Sequence, residues 1–154
     1  MIIREATTRD QQALCELTRY VPLKGNISYF IDRSPDFFAY YNCLTDRWKL
    51  FVYEHEGTLA GCLWAAILQV NLKGHPSSAG YLGDLRILPS FRGRNVSTEL
   101  VRAGTSFLRQ QDGGDLPIFS VITESNHKMH RSKLPHFRKA GAVDFRPIRT
   151  LDFY

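Results

Sequence analysis

Arg92, Gly93, Arg94 and Asn95, with Val96 and Ser97 directly after them, form the part of the sequence best suited to chemistry. Ahead of them, from Tyr81 to Leu88, apolar residues crowd too densely for an exposed element; this predicts a strand, which Pro89 stops. Behind them, Val96, Leu100, Val101, Phe107 and Leu108 recur at the spacing of one helical stripe. A strand, a tight basic turn and a helix N-terminus suit a phosphate. The first helical N–H groups have no partner inside the helix, the macrodipole is positive there, and two arginines add fixed charge. The plainer alternative is an ordinary basic β–α turn at the surface.

The rest of the chain must supply elements that hold this turn. Ile2 to Arg4 read as a short strand, and Thr8-x-x-Gln11 as a capping box that opens a helix. Leu14, Leu17 and Val21 give that helix an apolar stripe, and Pro22 ends it. From Pro22 to Trp48 the sequence is irregular and aromatic. Within it Ser34-Pro35-Asp36 predicts a helix start: a cap, a proline at the first position, then an acid near the positive end of the dipole. Phe37 and Tyr41 read as core, whereas Tyr29, Asp32 and Arg33 lie before the cap and are better placed to meet a substrate.

Lys49 to Glu54 and Leu59 to Leu72 read as an antiparallel hairpin turning at Glu56-Gly57, its second strand covered on both faces. Gly74 to Ser78 reads as a loop, Asp112 to Asp115 as a helix break, and Ile118 to Thr123 as a strand. Glu124 to Gly141 reads as one capped helix or two short ones interrupted at Pro135, and the tail Ala142 to Tyr154 as one or two short strands.

The stretch Ala79 to Gly104 resembles motif A of the GNAT superfamily of N-acetyltransferases, whose turn reads R/Q-x-x-G-x-G/A. The same register here reads Arg92-x-x-Asn95-x-Ser97, so the first position matches and both glycines are replaced. Asn is the residue other than glycine that best tolerates a left-handed backbone, and Ser is small, so the turn stays feasible. The resemblance covers the whole chain. It implies one domain over residues 1–154 with an α/β (α+β) GNAT fold: a central, mixed, mostly antiparallel twisted sheet of six to seven strands flanked by about four helices.

It further implies an acetyl-CoA-dependent N-acetyltransferase that passes acetyl to a primary amine of a small molecule or protein by direct attack. The amides of Arg92, Gly93, Arg94, Asn95, Val96 and Ser97 would hold the pyrophosphate of acetyl-CoA. Leu85, Arg86 and Ile87 would meet the pantetheine arm through their backbone, one N–H aimed at the thioester oxygen, and Asn126 would contact the arm. Asp84 takes the place of the acid that many members carry on this strand, and burial would raise its pKa towards that of a useful base. The alternative is a structural Asp84 paired with Arg86. His75, in the loop ahead of the strand, is a second candidate base. The tyrosine that many members use to protonate the leaving thiolate is replaced by Phe137, which leaves His136 or water for that role. Tyr29, Asp32 and Arg33 fall in the segment that lines the acceptor pocket in this family.

Composition sets outer bounds. The 154 residues, 44% hydrophobic and 23% charged, suit one soluble globular domain. The longest apolar run, Cys62 to Leu68, is too short to cross a bilayer, and the N-terminus lacks the apolar stretch of a signal peptide. Cys15, Cys43 and Cys62 show no metal-ligand spacing and fit reduced thiols in a cytoplasmic protein, so no metal is expected. The net charge of +5 suits nucleic acid or a small anionic ligand such as coenzyme A, and the arginines of the turn favour the latter. Two readings stand beside the enzyme. One is a non-catalytic GNAT-like sensor of acetyl-CoA or assembly module; the other is a nucleic-acid binder using Arg131, Lys133, Arg138 and Lys139, against which stands the absence of any nucleic-acid motif. A homodimer is left open.

Overall fold

The computed structural model describes residues 2–22, 31–111 and 116–122. Every described element lies in one compact unit, Met1–Leu23 with Ile27–Val121. Five strands, β1 (Ile2–Glu5), β2 (Trp48–His55), β3 (Thr58–Leu72), β4 (His75–Ile87) and β5 (Ile118–Phe119), form one sheet in the order β1-β2-β3-β4-β5. The first four pair antiparallel, and β5 joins β4 in parallel. Helices α1 (Gln11–Tyr20), α2 (Ala39–Leu44) and α3 (Val96–Arg109) flank the sheet, with 3₁₀ turns at Thr8–Asp10 and Pro89–Phe91.

Alternation along the strands sorts the core into two layers. Leu50 and Val52 of β2, and Cys62, Trp64 and Ala66 of β3, pack with Leu14 and Leu17 of α1 and with Phe37, Phe38 and Tyr41. Tyr53 of β2, and Leu63, Ala65 and Ile67 of β3, face the other way and pack with Val96, Leu100 and Leu108 of α3. Strand side chains have a period of two, so a strand with no polar alternation must be buried on both sides. β3 meets that condition from Ala60 to Ile67. On the α3 side the helix lies close to the sheet at Gly104, where a Cβ would stand 2.8 Å from the Cδ2 atoms of Leu63 and Leu82.

The expected β2–β3 hairpin forms, its turn residues Glu56 and Gly57 both at positive φ (49° and 74°). A second pair, Lys73 and Gly74 at 53° and 87°, makes the same kind of two-residue turn into β4. The loop expected over Gly74–Ser78 is therefore a correction: His75–Ser78 are the first residues of β4, paired with Leu72–Gln69. The N-terminal cap also moves. Asp10, not Gln11, closes the box: its carboxylate accepts the Thr7 N–H at 2.7 Å and is held by Arg4 of β1 at 2.7 Å.

α2 likewise begins after Asp36, whose carboxylate accepts the N–H groups of Phe38 (2.9 Å) and Ala39 (3.2 Å), while the Ser34 hydroxyl is bound to Asp32. Five strands and three helices are described, against the six to seven and about four expected; the strands and helix expected over 124–154 lie outside the described residues.

Candidate active site

Pro89 has no N–H with which to continue a ladder, so β4 ends at Ile87 and the chain enters a 3₁₀ turn with proline at its start. It then turns through Gly93 (φ 83°) and Asn95 (φ 60°), both left-handed, before α3 begins. Asn95 thus adopts the backbone that the missing glycine would have given. Arg92, Gly93, Arg94 and Asn95 are exposed, while Val96 is buried beneath them and pins the turn to the sheet. A Cβ at Gly93 would meet nothing within 4 Å among the described residues. The Asn95 carbonyl accepts the N–H groups of Thr98 (2.9 Å) and Glu99 (3.1 Å), and no side chain caps the helix. The earlier amides, Val96 and Ser97, are the groups that helix geometry leaves without an internal acceptor. Arg94 lies over the Phe91 ring at 5.4 Å, and Arg92 Nε donates to the Ile87 carbonyl at 3.3 Å.

β4 itself is irregular beside this turn. Arg86 pairs with Cys62 and Gly83 with Trp64, so Asp84 and Leu85 together stand opposite the single Leu63. This is a bulge, and Asp84 takes a left-handed backbone there (φ 52°). On the other side of β4, β5 pairs only at Gly80 and Tyr81, and the Ser120 hydroxyl donates to the Leu82 carbonyl at 2.7 Å. Beyond that point no described strand pairs with β4 on this side. The Leu88 N–H donates to Ala60 of β3 and the Ile87 carbonyl accepts Arg92, so Ile87 presents its polar backbone to the side away from β3. Alternation places Leu85 with it, and the Arg86 backbone with β3.

The Asp84 carboxylate is 8% exposed and fully engaged. Tyr41 donates to Oδ2 at 2.7 Å, Arg33 pairs with the same oxygen at 2.7 Å, and Arg86 Nε donates to Oδ1 at 2.7 Å. Arg33 also donates to the Tyr41 hydroxyl, and Arg86 to the carbonyl of Val21 at the end of α1. The Arg33 guanidinium lies over three rings, those of Phe37 (5.1 Å), Tyr40 (4.7 Å) and Tyr41 (4.7 Å). Burial by itself would push Asp84 up, as expected from sequence. The charges of Arg86 and Arg33 and the Tyr41 hydrogen bond outweigh it and hold the carboxyl below its ordinary value. The expected raised pKa is thus reversed, and the pairing with Arg86 weighed from sequence is present. Burial, then the Asp84 charge, push the Tyr41 phenol well above its ordinary value, which keeps it a donor.

The structure brings Asp84, Leu85, Ile87 and the turn Arg92–Ser97 to one end of the sheet, and puts the Arg86 and Arg33 side chains into the buried cluster. Arg33 therefore meets Asp84 rather than solvent. Asp32 is exposed, its carboxylate taking the N–H and hydroxyl of Ser34. His75 is exposed at the tip of the β3–β4 hairpin, paired with Leu72; at ~3.4 Å per residue it lies about 30 Å along the strand from Asp84, too far to serve it. Tyr29, Asn126, His136 and Phe137 lie outside the described residues. Sequence reasoning assigned Tyr41 to the core, where it is indeed fully buried, and missed its hydroxyl. Its aromatic neighbours were the visible signal; the bond to a residue 43 positions away was not. Among the described residues no group of three or more His, Cys, Asp or Glu side chains is placed to hold a metal ion, and no helix is long and apolar enough to cross a membrane.

The family model of the acetyltransferase (GNAT) family matches residues 16–132, well over half of the sequence, and the chain belongs to that family. Solved structures agree on the fold. The apo aminoglycoside 6'-N-acetyltransferase from Acinetobacter haemolyticus has a TM-score of 0.70 at 17% identity, covering 100% of this chain and 99% of that one. Glucosamine-6-phosphate N-acetyltransferase from Arabidopsis thaliana gives 0.67 at 18%, covering 99% and 97%. AAC(6')-Iy in complex with the bisubstrate analogue CoA-S-monomethyl-acetylneamine gives 0.68 at 20%, covering 99% and 95%. No curated protein matches the sequence.

Proposed function

We propose that this GNAT acetyltransferase transfers an acetyl group from acetyl-CoA to a primary amine of a small molecule or protein by direct attack of the amine. The observation that carries the reading is the half-paired β4: on the side away from β3 its last residues have no partner among the described strands, next to an exposed turn at a helix N-terminus. Acetyl-CoA would supply the activated thioester. The amides from Gly93 to Ser97 would hold its diphosphate, with Arg92 and Arg94 adding charge. The backbone N–H of Leu85 or Ile87 would hydrogen-bond the pantetheine arm and face the thioester oxygen. A fixed donor aimed at developing negative charge contributes about 2.7–4 kcal/mol to the barrier. Asp84, ionised and saturated with donors, is a weak proton acceptor; its role in this reading is to fix the bulge that aims those amides. Asn126 would contact the arm, and His136 or water would protonate the leaving thiolate.

A second reading, a non-catalytic sensor of acetyl-CoA or assembly module, is favoured by one observation, the engagement of the Asp84 carboxylate by Tyr41, Arg33 and Arg86. Thiol release from acetyl-CoA over a panel of amines separates the two. Release with some amine supports the enzyme, and thermal stabilisation by acetyl-CoA with no release from any amine or peptide supports the sensor.

A further inference from the structure

On the α1 and α2 side of the sheet, two buried donors among the described residues have no acceptor. The Arg33 side chain is 5% exposed and its Nε is unpartnered; Trp64 is 3% exposed and its Nε1 is unpartnered. Buried donors are almost always paired, and each of these can only donate. They share their surroundings. The Arg33 guanidinium stands 4.7 Å from the ring centroids of both Tyr40 and Tyr41, and the Trp64 ring lies 6.4 Å from Tyr40 and 4.9 Å from Tyr41. Tyr40 is 46% exposed, so the cluster reaches the surface there. The third unpartnered atom among the described residues, His55 Nδ1, sits apart beside Phe91 and, as an imidazole nitrogen, accepts or donates by tautomer.

Charge points the same way. Two buried guanidiniums, Arg33 and Arg86, share one carboxylate. Arg86 also holds the carbonyl of Val21, at the negative end of the α1 dipole. Apart from Asp84, the described partners of Arg33 are the neutral Tyr41 hydroxyl and three ring faces, so the unbalanced positive charge lies on its side. One group answers both deficits: an anion that only accepts hydrogen bonds.

We propose that Arg33 and Trp64 form a subsite for a carboxylate carried by the acceptor, so that the acceptor is an amino-acid-like amine and not a polycation. This rests on the reading of the chain as an amine acetyltransferase. Arg33 is bonded to Asp84 at the bulge, so a carboxylate held there would lie beside the part of β4 that this reading gives to the pantetheine arm.

The test uses matched pairs that differ only in the carboxylate, phenylalanine against phenethylamine and leucine against isopentylamine, with thiol release and calorimetric titration read separately. The carboxylate-bearing member is expected to have kcat/KM about tenfold higher, the usual worth of a charge-assisted hydrogen bond. Arg33→Met brings that ratio towards one. Trp64→Phe removes the N–H and shrinks the ring, and lowers the ratio several-fold; the decarboxylated amines control for the lost packing, which preserves the test if Arg33→Met does not fold. Equal or faster turnover of the decarboxylated amines, or an unchanged ratio in Trp64→Phe, overturns the proposal. If no amine releases thiol, the transferase reading fails on its own. The subsite is then judged by calorimetry: saturable binding of phenylalanine and leucine that Trp64→Phe weakens supports it, and no binding overturns it.

Discussion

Tyr41 donates its phenolic hydrogen to Asp84 over 2.7 Å, tying α2 to the bulge of β4. That bond joins the aromatic layer under the sheet to the strand that carries the candidate site. The carboxylate also holds two buried arginines, so neither partner is replaceable by a group that is merely apolar. Removing the hydroxyl in Tyr41→Phe leaves the ring packing intact and deletes one donor to a buried charge. A loss of about 1.5–3 kcal/mol is expected in denaturant unfolding. A change within error would show that the hydroxyl contributes nothing.

Asp84→Asn is expected to act first on stability. It leaves Arg33 and Arg86 buried without a counter-ion, which costs about 3–5 kcal/mol. Urea midpoints of wild type and variant measure this. A variant of unchanged stability whose turnover falls and recovers at high pH would instead make Asp84 the general base.

Acid stability follows from Asp10. The Arg4 guanidinium, against the opposing effect of burial and with the Thr7 N–H, holds its carboxyl at about 2, down from 3.8. A depressed carboxylate stabilises the fold fully above its unfolded pKa and loses that contribution as pH falls through the folded one. Unfolding free energy should therefore decline between roughly pH 4 and pH 2, and Asp10→Asn should remove about 1–2 kcal/mol at neutral pH, allowing for the partial exposure of Arg4. Asp84, also depressed, adds to the same decline in the wild type. A variant whose stability matches wild type from pH 4 to pH 7 would refute the Asp10 part.

What the sequence showed and hid divides by distance along the chain. The β2–β3 hairpin was legible because Glu56-Gly57 carries its own turn chemistry, and β3 because its unbroken apolar run permits no exposed face. The left-handed need at Asn95 was legible from the residue type alone. Hidden features depend on tertiary partners that the local pattern does not name, some of them far away in sequence. Arg4 of β1 draws the Asp10 carboxylate and moves the cap by one residue. Arg33 reverses the pKa shift that burial of Asp84 would give. Gly74 to Ser78 has loop composition, but the Lys73-Gly74 turn and pairing with β3 make it strand.

The central claim is that the amides from Gly93 to Ser97 cradle a diphosphate. Calorimetric titration of wild type and Arg92→Glu with acetyl-CoA and with S-acetylpantetheine, which lacks the diphosphate, tests it most directly. The account predicts that wild type binds acetyl-CoA at least about tenfold tighter than S-acetylpantetheine, and that Arg92→Glu loses most of this difference. Equal affinity for the two compounds, or an Arg92→Glu variant with the full preference intact, would contradict it.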